Sequence, residues 1–372
     1  MANKIKALFF LVLFLLINSL ILVLLSPQRS SLLVSPGLLV KRVKPELLDL
    51  NQDLDNIDTT SQAEISKLDG RRVKKVNPYP VAVMIDNHVD ARPQAGLSRA
   101  SFIYETLVEG GATRFMAIFD VQNNDIRKIG PVRSARPYFV EWAKEYNALY
   151  VHAGGSPQAL AKIAKDNIND LNEISGYGIR YFYRDRSLSA PHNLFTDSSK
   201  LQNALIWRDL NNPNYSPWLF ATSSSAAPDA YKGKSADIYI DFSPGDAYDA
   251  HFVYDKESNQ YVRVARERKP WFDPDSNEEL KAANIIVQLI PAEQLSGGKG
   301  RLFLDIYGEG KGFIFQNGEM KSIYWQKESK DSRTKFYYQD GQKEVVLSPG
   351  LTWVVVVPGN REIKWGEKII FP

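Results

Sequence analysis

The sequence predicts an α+β protein carried by an N-terminal transmembrane helix. Three observations lead to this prediction. Residues 7–25 carry no charge, helix and strand patterns alternate between residues 78 and 222, and strand-like runs separated by turn signals dominate residues 235–372. The first pattern is typical of a membrane span, the second of a mixed α/β domain, and the third of a mostly antiparallel β domain.

Composition and charge exclude several classes of protein. The chain has 372 residues, enough for two or three domains, and 24% of them are charged, as in ordinary globular proteins. The formal net charge of +3 is too small for a nucleic-acid-binding protein, so no such partner is predicted. The chain contains no Cys, which excludes disulfides, Cys-ligated zinc and a cysteine nucleophile.

The first predicted element is a single-pass membrane anchor over residues 7–25. At about 1.5 Å per residue, a helix of this length approaches the ~30 Å hydrocarbon core of a bilayer. Because Lys4 and Lys6 precede it, the positive-inside rule places residues 1–6 in the cytoplasm and the later domains outside the cell membrane. The alternative is a cleaved signal peptide, but residues 26–29 form a poor cleavage site.

Residues 26–77 are predicted to form a stalk. Pro27, Pro36 and Pro45 interrupt the early part, and polar residues dominate the later part. Apolar residues at helical spacing between 47 and 57 indicate one short amphipathic helix after Pro45.

The first folded domain is predicted over residues 78–222. Its predicted elements are a strand over 81–85, a helix from Ser98 through Val108, a strand over 115–119, a further element over 129–132, a helix over 137–146, a strand over 149–152 and a helix that begins at Pro157. Short apolar runs predict the buried strands. Ser98 is a suitable N-cap, and Gly110-Gly111 is a typical helix end.

A linker over residues 223–234 separates this domain from a second one over residues 235–372. Strand-like runs in the second domain cover residues 237–242, 261–264, 285–289 and 353–358. Turn dipeptides such as Asn317-Gly318 and Pro349-Gly350 lie between the runs. This pattern predicts a β-rich domain with mostly antiparallel strands.

Candidate binding residues lie on loops at the strand ends of the first domain, where a rigid scaffold often places function. They are Asp86, His88, Arg92, Arg114, Arg133, Arg136, His152, Gly154, Gly155 and His192. Arginine forks bind phosphate or carboxylate groups, and glycines let backbone N–H groups approach a ligand. The pattern predicts a site for an anionic or phosphate-bearing ligand. The alternative is that the arginines pair with Asp86, Glu105 and Glu109 inside the fold.

The histidines of this domain lie in three separate loops. Together with Asp86, the residues His88, His152 and His192 could form a metal site or an acid–base pair. No H-E-x-x-H or comparable spacing supports that reading, and a single loop histidine is more often a hydrogen-bonding residue. The sequence therefore predicts no metal and no cofactor.

Long segments of the chain closely resemble the YerB-like family of bacterial envelope proteins. In the first domain these are PVAVMIDNHVDARPQAGLSRASFIYETLVEGGATRFMAIFD, IGPVRSARPYFVEWAKEYNALYVHAGGSPQAL and APHNLF, and in the second domain NIIVQ and LSPGLTWVVVVP. The resemblance covers nearly everything after residue 77 and implies a bacterial envelope protein outside the membrane, in a family without an established reaction. Many members look like lipoproteins. Since this chain has no Cys to carry a lipid, a transmembrane helix is expected in its place.

A fainter resemblance, over residues 82–160, is to the LytR-CpsA-Psr phosphotransferases. It implies that Arg114, Arg133 and Arg136 hold a pyrophosphate with Asp86 as the acidic partner, although VRSARP lacks the Asp that this family uses for its metal ion. Three functions stay open: binding of an anionic envelope ligand in cell-wall or surface-polymer assembly, phosphotransfer to glycopolymers carried on polyprenyl phosphate, and a non-catalytic scaffold for cell-wall synthesis proteins.

Overall fold

The structure, a computed structural model, describes residues 64–222, 237–242, 245–297, 300–339, 343–359 and 361–371. The predicted anchor over 7–25, the amphipathic helix after Pro45 and the linker over 223–234 lie outside these residues. Within the described part, no helix is both long enough and apolar enough to cross a bilayer.

Sixteen strands of the described part form two larger sheets. In chain order they are β1 (Val81–Asp86), β2 (Phe102–Leu107), β3 (Thr113–Phe119), β4 (Leu149–His152), β5 (Asp170–Asn172), β6 (Ile238–Ile240), β7 (Ala250–Asp255), β8 (Gln260–Val264), β9 (Lys281–Ala282), β10 (Asn284–Ile290), β11 (Gly308–Gln316), β12 (Glu319–Lys327), β13 (Lys335–Tyr338), β14 (Thr352–Pro358), β15 (Ile363–Trp365) and β16 (Lys368–Phe371).

Short ribbons and three α-helices complete the described fold. The ribbons pair Glu64–Ile65 with Arg72–Val73, Tyr183–Arg184 with Leu194–Phe195, Leu219–Phe220 with Val346–Leu347, Phe272–Asp273 with Glu278–Glu279, and Ala292–Gln294 with Leu302–Leu304. The helices are α1 (Pro137–Glu145), α2 (Pro157–Lys165) and α3 (Ser198–Trp207). Proline begins α1 and α2, and the Ser156 hydroxyl caps α2 by accepting from Ala159 N–H.

The larger sheet has ten strands in the order β13-β12-β11-β10-β14-β2-β3-β1-β4-β5. Five strands come from each half of the chain, and the halves join where β14 runs parallel to β2, with Thr352 opposite Phe102 and Val355 opposite Glu105. Apolar side chains fill both faces of this sheet. The second sheet, β9-β8-β7-β6-β15-β16, packs with α3 on one face, while α1 and α2 pack on the other.

The predicted α+β class is wrong, because the described part is mostly β. The segment predicted as a helix from Ser98 contains instead the strand β2, whose six residues are all buried between β14 and β3. Because β2 is buried on both faces, its two polar residues, Glu105 and Thr106, do not alternate with apolar ones, so its sequence lacks the pattern that separates a strand from a buried helix. The two halves, predicted as a mixed α/β domain and a mostly antiparallel β domain, contribute strands to one mixed sheet.

The other strong patterns of the first half are confirmed. The runs 81–85, 115–119 and 149–152 lie in β1, β3 and β4, and helices occupy the two proline-initiated segments. Residues 129–132 form isolated bridges rather than a strand, including Val132 opposite Ile85. These bridges hold the loop of residues 130–136 alongside the end of β1.

Candidate functional site

Asp86 is the last residue of β1, an interior strand of the larger sheet. It lies directly opposite Arg114, the second residue of β3. The neighbouring loop is fixed to this strand by main-chain hydrogen bonds. Asp86 N–H donates to Pro131 C=O at 2.9 Å, and Arg133 N–H donates to Met84 C=O at 2.9 Å. Backbone pairing alone therefore brings Asp86, Arg114 and Arg133 together.

Three loops meet on the Asp86 carboxylate, whose side chain is 4% exposed. Its Oδ2 lies 2.7 Å from His192 Nδ1 and 2.8 Å from Arg133 Nε. Its Oδ1 accepts from the backbone N–H of His88 at 3.0 Å. A buried carboxylate needs such partners, because burial without them is unfavourable. Asp86 thus sets the positions of a guanidinium and two histidines.

The Arg133 guanidinium contacts Asp86 through Nε. The contact of its Nε with Asp86 is an ion pair in which the N–H does not point straight at the oxygen. Its Nη1 and Nη2 atoms make no hydrogen bond with any described residue and stay accessible to solvent. A guanidinium held at Nε in this way offers a planar pair of donors to a phosphate or carboxylate group.

Arg136, in the same loop, is neutralised within the fold. Its Nε and Nη2 donate to the Glu109 carboxylate over 2.7–2.9 Å, a two-pronged ion pair. Burial raises the pKa of the Glu109 carboxyl, but the hydrogen bonds and charge of Arg136 outweigh burial, so the net shift is downward. Glu109 therefore stays ionised and keeps Arg136 in place.

Arg114 is a buried cation without a carboxylate partner among the described residues. Its Nη1 donates to Ser134 C=O at 2.9 Å, and its Nε has no hydrogen-bond partner in that part of the chain. Burial, with a further contribution from the nearby charge of Arg136, lowers the pKa of the Arg114 guanidinium to about 10. It still carries its charge at neutral pH and adds positive potential beneath Arg133.

The His192 and His88 rings stack beside this group, with centroids 4.9 Å apart and planes 18° from parallel. An ionised carboxylate only accepts hydrogen bonds, so His192 Nδ1 carries a proton that faces Asp86. The lone pair of a neutral His192 then lies on Nε2, which has no partner among the described residues. His88 Nδ1 accepts from Asp90 N–H at 3.3 Å.

Comparison with known proteins identifies the family. The profile described as "Protein of unknown function (DUF3048) N-terminal domain" matches residues 68–211, and its C-terminal counterpart matches residues 238–354. The chain belongs to the YerB-like family. It is 29% identical over 311 residues to "Putative lipoprotein YerB" of Bacillus subtilis strain 168, a match that covers 82% of this chain and 90% of that protein. The crystal structure of Bacillus subtilis YerB aligns with a TM-score of 0.69 at 27% identity, over 81% of this chain and 99% of the other.

In this YerB-like chain, several predicted site residues have local structural partners. His152 is fully buried, with Nδ1 2.8 Å from Gly154 C=O and Nε2 3.2 Å from the Asp170 carboxylate. Gly154 has φ +62°, a backbone conformation that favours glycine. A Cβ on Gly155 would lie 3.2 Å from Ala135 and Leu160. These contacts give His152, Gly154 and Gly155 a structural role that needs no bound ligand.

Arg92 lies apart from the Asp86 group, on the wall of a cleft of about 990 Å³ between the two halves. Its Nε donates to Asn87 Oδ1 at 3.1 Å, its Nη2 donates to Ala247 C=O at 2.7 Å, and its guanidinium lies 4.8 Å from the Trp271 ring. Burial first, and then the charge of Arg263, lower the pKa of Arg92 to about 10.

Sequence reasoning missed a buried ion pair between Glu105 of β2 and Arg263 of β8. Glu105 of β2 accepts from Arg263 Nη2 at 3.3 Å and from Trp353 Nε1 at 3.0 Å, and both charged side chains are at most 1% exposed. The Arg263 guanidinium lies within 5.4 Å of the rings of Phe252, Trp271 and Trp353. Burial raises the pKa of Glu105 and lowers that of Arg263.

The alternative prediction, in which arginines pair with acids inside the fold, describes part of the site. Asp86 pairs with Arg133 and Glu109 with Arg136, but Glu105 pairs with Arg263 of the other half. Asp90, which contacts His88, was also not singled out from the sequence. Its spacing of two residues from His88, on the short turn that His88 caps, was the available signal.

Proposed function

We propose that this YerB-like protein binds an anionic ligand of the bacterial envelope at the Asp86 group, through the guanidinium of Arg133. The observation that carries the proposal is that Asp86 forms an ion pair with Arg133 at Nε while Nη1 and Nη2 remain accessible and without a partner among the described residues. A guanidinium that is already oriented loses little side-chain freedom when it binds, which favours affinity.

The charge of the surrounding group supports an anion. Three guanidinium groups, those of Arg114, Arg133 and Arg136, are accompanied in this group by two carboxylates, those of Asp86 and Glu109. The surplus positive charge includes the buried Arg114, and electrostatic interactions are stronger where water is excluded. A hydrogen bond to a charged group contributes roughly 1.5–3 kcal/mol, so two bonds from Arg133 contribute about 3–6 kcal/mol to binding.

An envelope location is supported by the relationship to Bacillus subtilis YerB, a protein named as a lipoprotein. A lipoprotein is held at a membrane, where phosphate groups are abundant on lipids and on surface polymers. We therefore infer a membrane-associated protein of the envelope that recognises a phosphate or carboxylate of a wall or surface-polymer component.

Isothermal titration calorimetry tests this proposal with two probes, pyrophosphate and succinate, in buffer that contains EDTA. We expect wild-type protein to bind at least one probe and Arg133→Ala to bind it at least tenfold more weakly, equivalent to about 1.4 kcal/mol. Arg99→Ala is the matched control, because Arg99 belongs to a separate, half-exposed ion pair with Glu278. Equal affinities of wild type and Arg133→Ala, or absence of binding by wild type, would contradict the proposal.

Phosphotransfer and a scaffold role remain predictions from the sequence. The pairing of Arg136 with Glu109 leaves one of the three arginines of the predicted pyrophosphate site occupied by the protein itself. The binding proposal requires only Arg133 and its electrostatic surroundings, so it is the reading that the geometry supports best.

A further inference from the structure

We infer that His88, Asp90 and His192 form a binding site for a divalent transition-metal ion next to the Arg133 guanidinium. One ligand atom from each of the three residues lies within 4.8 Å of the others. Two imidazoles and a carboxylate are a donor set that suits Zn²⁺ and its neighbours rather than Mg²⁺ or Ca²⁺, which prefer oxygen ligands.

The separation of two of these atoms already matches a metal site. His88 Nδ1 and Asp90 Oδ2 lie 3.4 Å apart. Two ligands held at about 2.1 Å from a tetrahedral zinc ion are ~3.4 Å from each other. Since Asp90 N–H points at His88 Nδ1 from 3.3 Å, the Nδ1 lone pair faces the Asp90 side of the ring. That lone pair accepts the Asp90 N–H in the metal-free protein, so a metal ion bound at Nδ1 replaces this long hydrogen bond.

His192 supplies the third donor atom, and its contact with Asp86 determines which ring nitrogen carries the proton. The 2.7 Å contact with the buried Asp86 carboxylate keeps the proton on Nδ1 and leaves the Nε2 lone pair for a metal ion. A carboxylate behind a ligating histidine is a recurring arrangement that fixes the tautomer and orientation of the ring. Asp86 lies outside the three ligands, so this contact is an observation independent of their proximity.

The accessibility of the site also fits a metal ion that enters from solvent. The His192 side chain is 13% exposed, while those of His88 and Asp90 are 43% and 71% exposed, so an ion can enter from solvent. Three protein ligands leave at least one coordination position for water or an anion.

This inference does not rest on the proposed anion binding, because the metal ligands exclude Arg133. The two proposals therefore fail separately. Zn²⁺ titration without pyrophosphate tests the metal site, and pyrophosphate titration in EDTA tests the guanidinium. An anion bound to Arg133 would lie beside the metal ion, which would supply a second positive charge.

The experiment is a titration of the EDTA-treated, dialysed protein with Zn²⁺ by calorimetry and with Co²⁺ by visible absorption. We expect one equivalent of metal to bind, and we expect His88→Ala and His192→Ala each to weaken binding at least tenfold. His251→Ala is the control, since His251 lies in β7 of the other sheet and should leave binding unchanged.

Folding of the variants is checked by thermal unfolding without metal. If His192→Ala does not fold, Asp90→Ala replaces it, because a side chain that is 71% exposed contributes little to the core. Absence of Zn²⁺ binding by wild type would overturn the inference. So would equal binding by wild type and the His88, His192 and Asp90 variants, or an equal loss in His251→Ala.

Discussion

Two carboxylate–arginine pairs have their carboxylates on interior strands of the ten-stranded sheet, and the pairs differ in their access to water. Asp86 and Arg133 lie near the surface, and the arginine side chain is 24% exposed. Glu105 and Arg263 are sealed between the two halves, with side chains at most 1% exposed. Asn87, the residue after Asp86, donates to the Thr113 hydroxyl at 2.7 Å, and this hydroxyl donates to Glu105 at 3.1 Å.

The comparison shows that residue type does not distinguish a binding pair from a structural one. In the outer pair, the terminal nitrogens of Arg133 are accessible and have no described partner. In the inner pair, three aromatic rings surround Arg263 and Trp353 donates to Glu105. We therefore propose ligand binding for the outer pair and stabilisation of the junction between the halves for the inner pair.

The largest expected effect is the loss of stability in Glu105→Ala. This change leaves Arg263 charged, buried and without its carboxylate, and breaking a buried pair in this way costs about 3–5 kcal/mol. Chemical denaturation monitored by tryptophan fluorescence measures the difference. Asp86→Ala is the matched variant, for which we expect a loss of about 1–3 kcal/mol, because Arg133 and His192 can turn to water. A larger loss for Asp86→Ala than for Glu105→Ala would reverse the assignment.

A smaller effect, on ligand affinity rather than on folding, is expected for Asp86→Asn. The amide keeps the shape of the side chain but removes the charge that fixes Arg133. We expect affinity for the anionic probe to fall about tenfold, or 1.4 kcal/mol. Calorimetry with pyrophosphate measures it, and Glu105→Gln serves as the control in the inner pair. Unchanged affinity in Asp86→Asn would show that Asp86 does not position Arg133 for binding.

The smallest expected effect is a pH dependence of stability that the inner pair contributes. Burial, outweighing the charge of Arg263, raises the pKa of Glu105 above its ordinary value of 4.5. The folded state therefore holds this proton more tightly than the unfolded state. The corresponding stability is fully present below pH 4.5 and is lost as the pH rises through the raised pKa.

Glu105→Gln lacks this titration, so the stability of wild type relative to Glu105→Gln should decrease as the pH rises from 4.5. Urea denaturation of both proteins across this range measures the difference. A difference that is constant with pH, or one that changes in the opposite direction, would contradict the raised pKa of Glu105.

Much of the local structure could be predicted because its signals are local. The proline at the start of α1 and the Ser156 cap of α2 fix two helices, and the branched apolar runs in β1 and β10 fix two strands. The helix prediction from Ser98 failed because β2 is covered on both faces, which removes the period of two on which strand prediction depends.

The candidate site was predicted in parts. The loops that carry Asp86, Arg133 and His192 were all identified, yet His192 lies 106 residues from Asp86 in the chain, and no spacing rule connects them. Arg92 and His152 have the same residue types on similar loops, but the structure gives them other partners. The residue types in the loops identified the candidates. Only the backbone pairing of the folded chain determined which of them lie together.

The sequence by itself determined the family, the absence of cysteine chemistry and the positions of seven strands and two helices, because these depend on residue identity and on contacts within a few positions. Only the tertiary structure decided that both halves share one sheet, that Glu105 pairs with Arg263 across 158 residues, and that Arg133 keeps two nitrogens accessible. The physical reason is that burial and pairing of charges depend on which distant strands become neighbours.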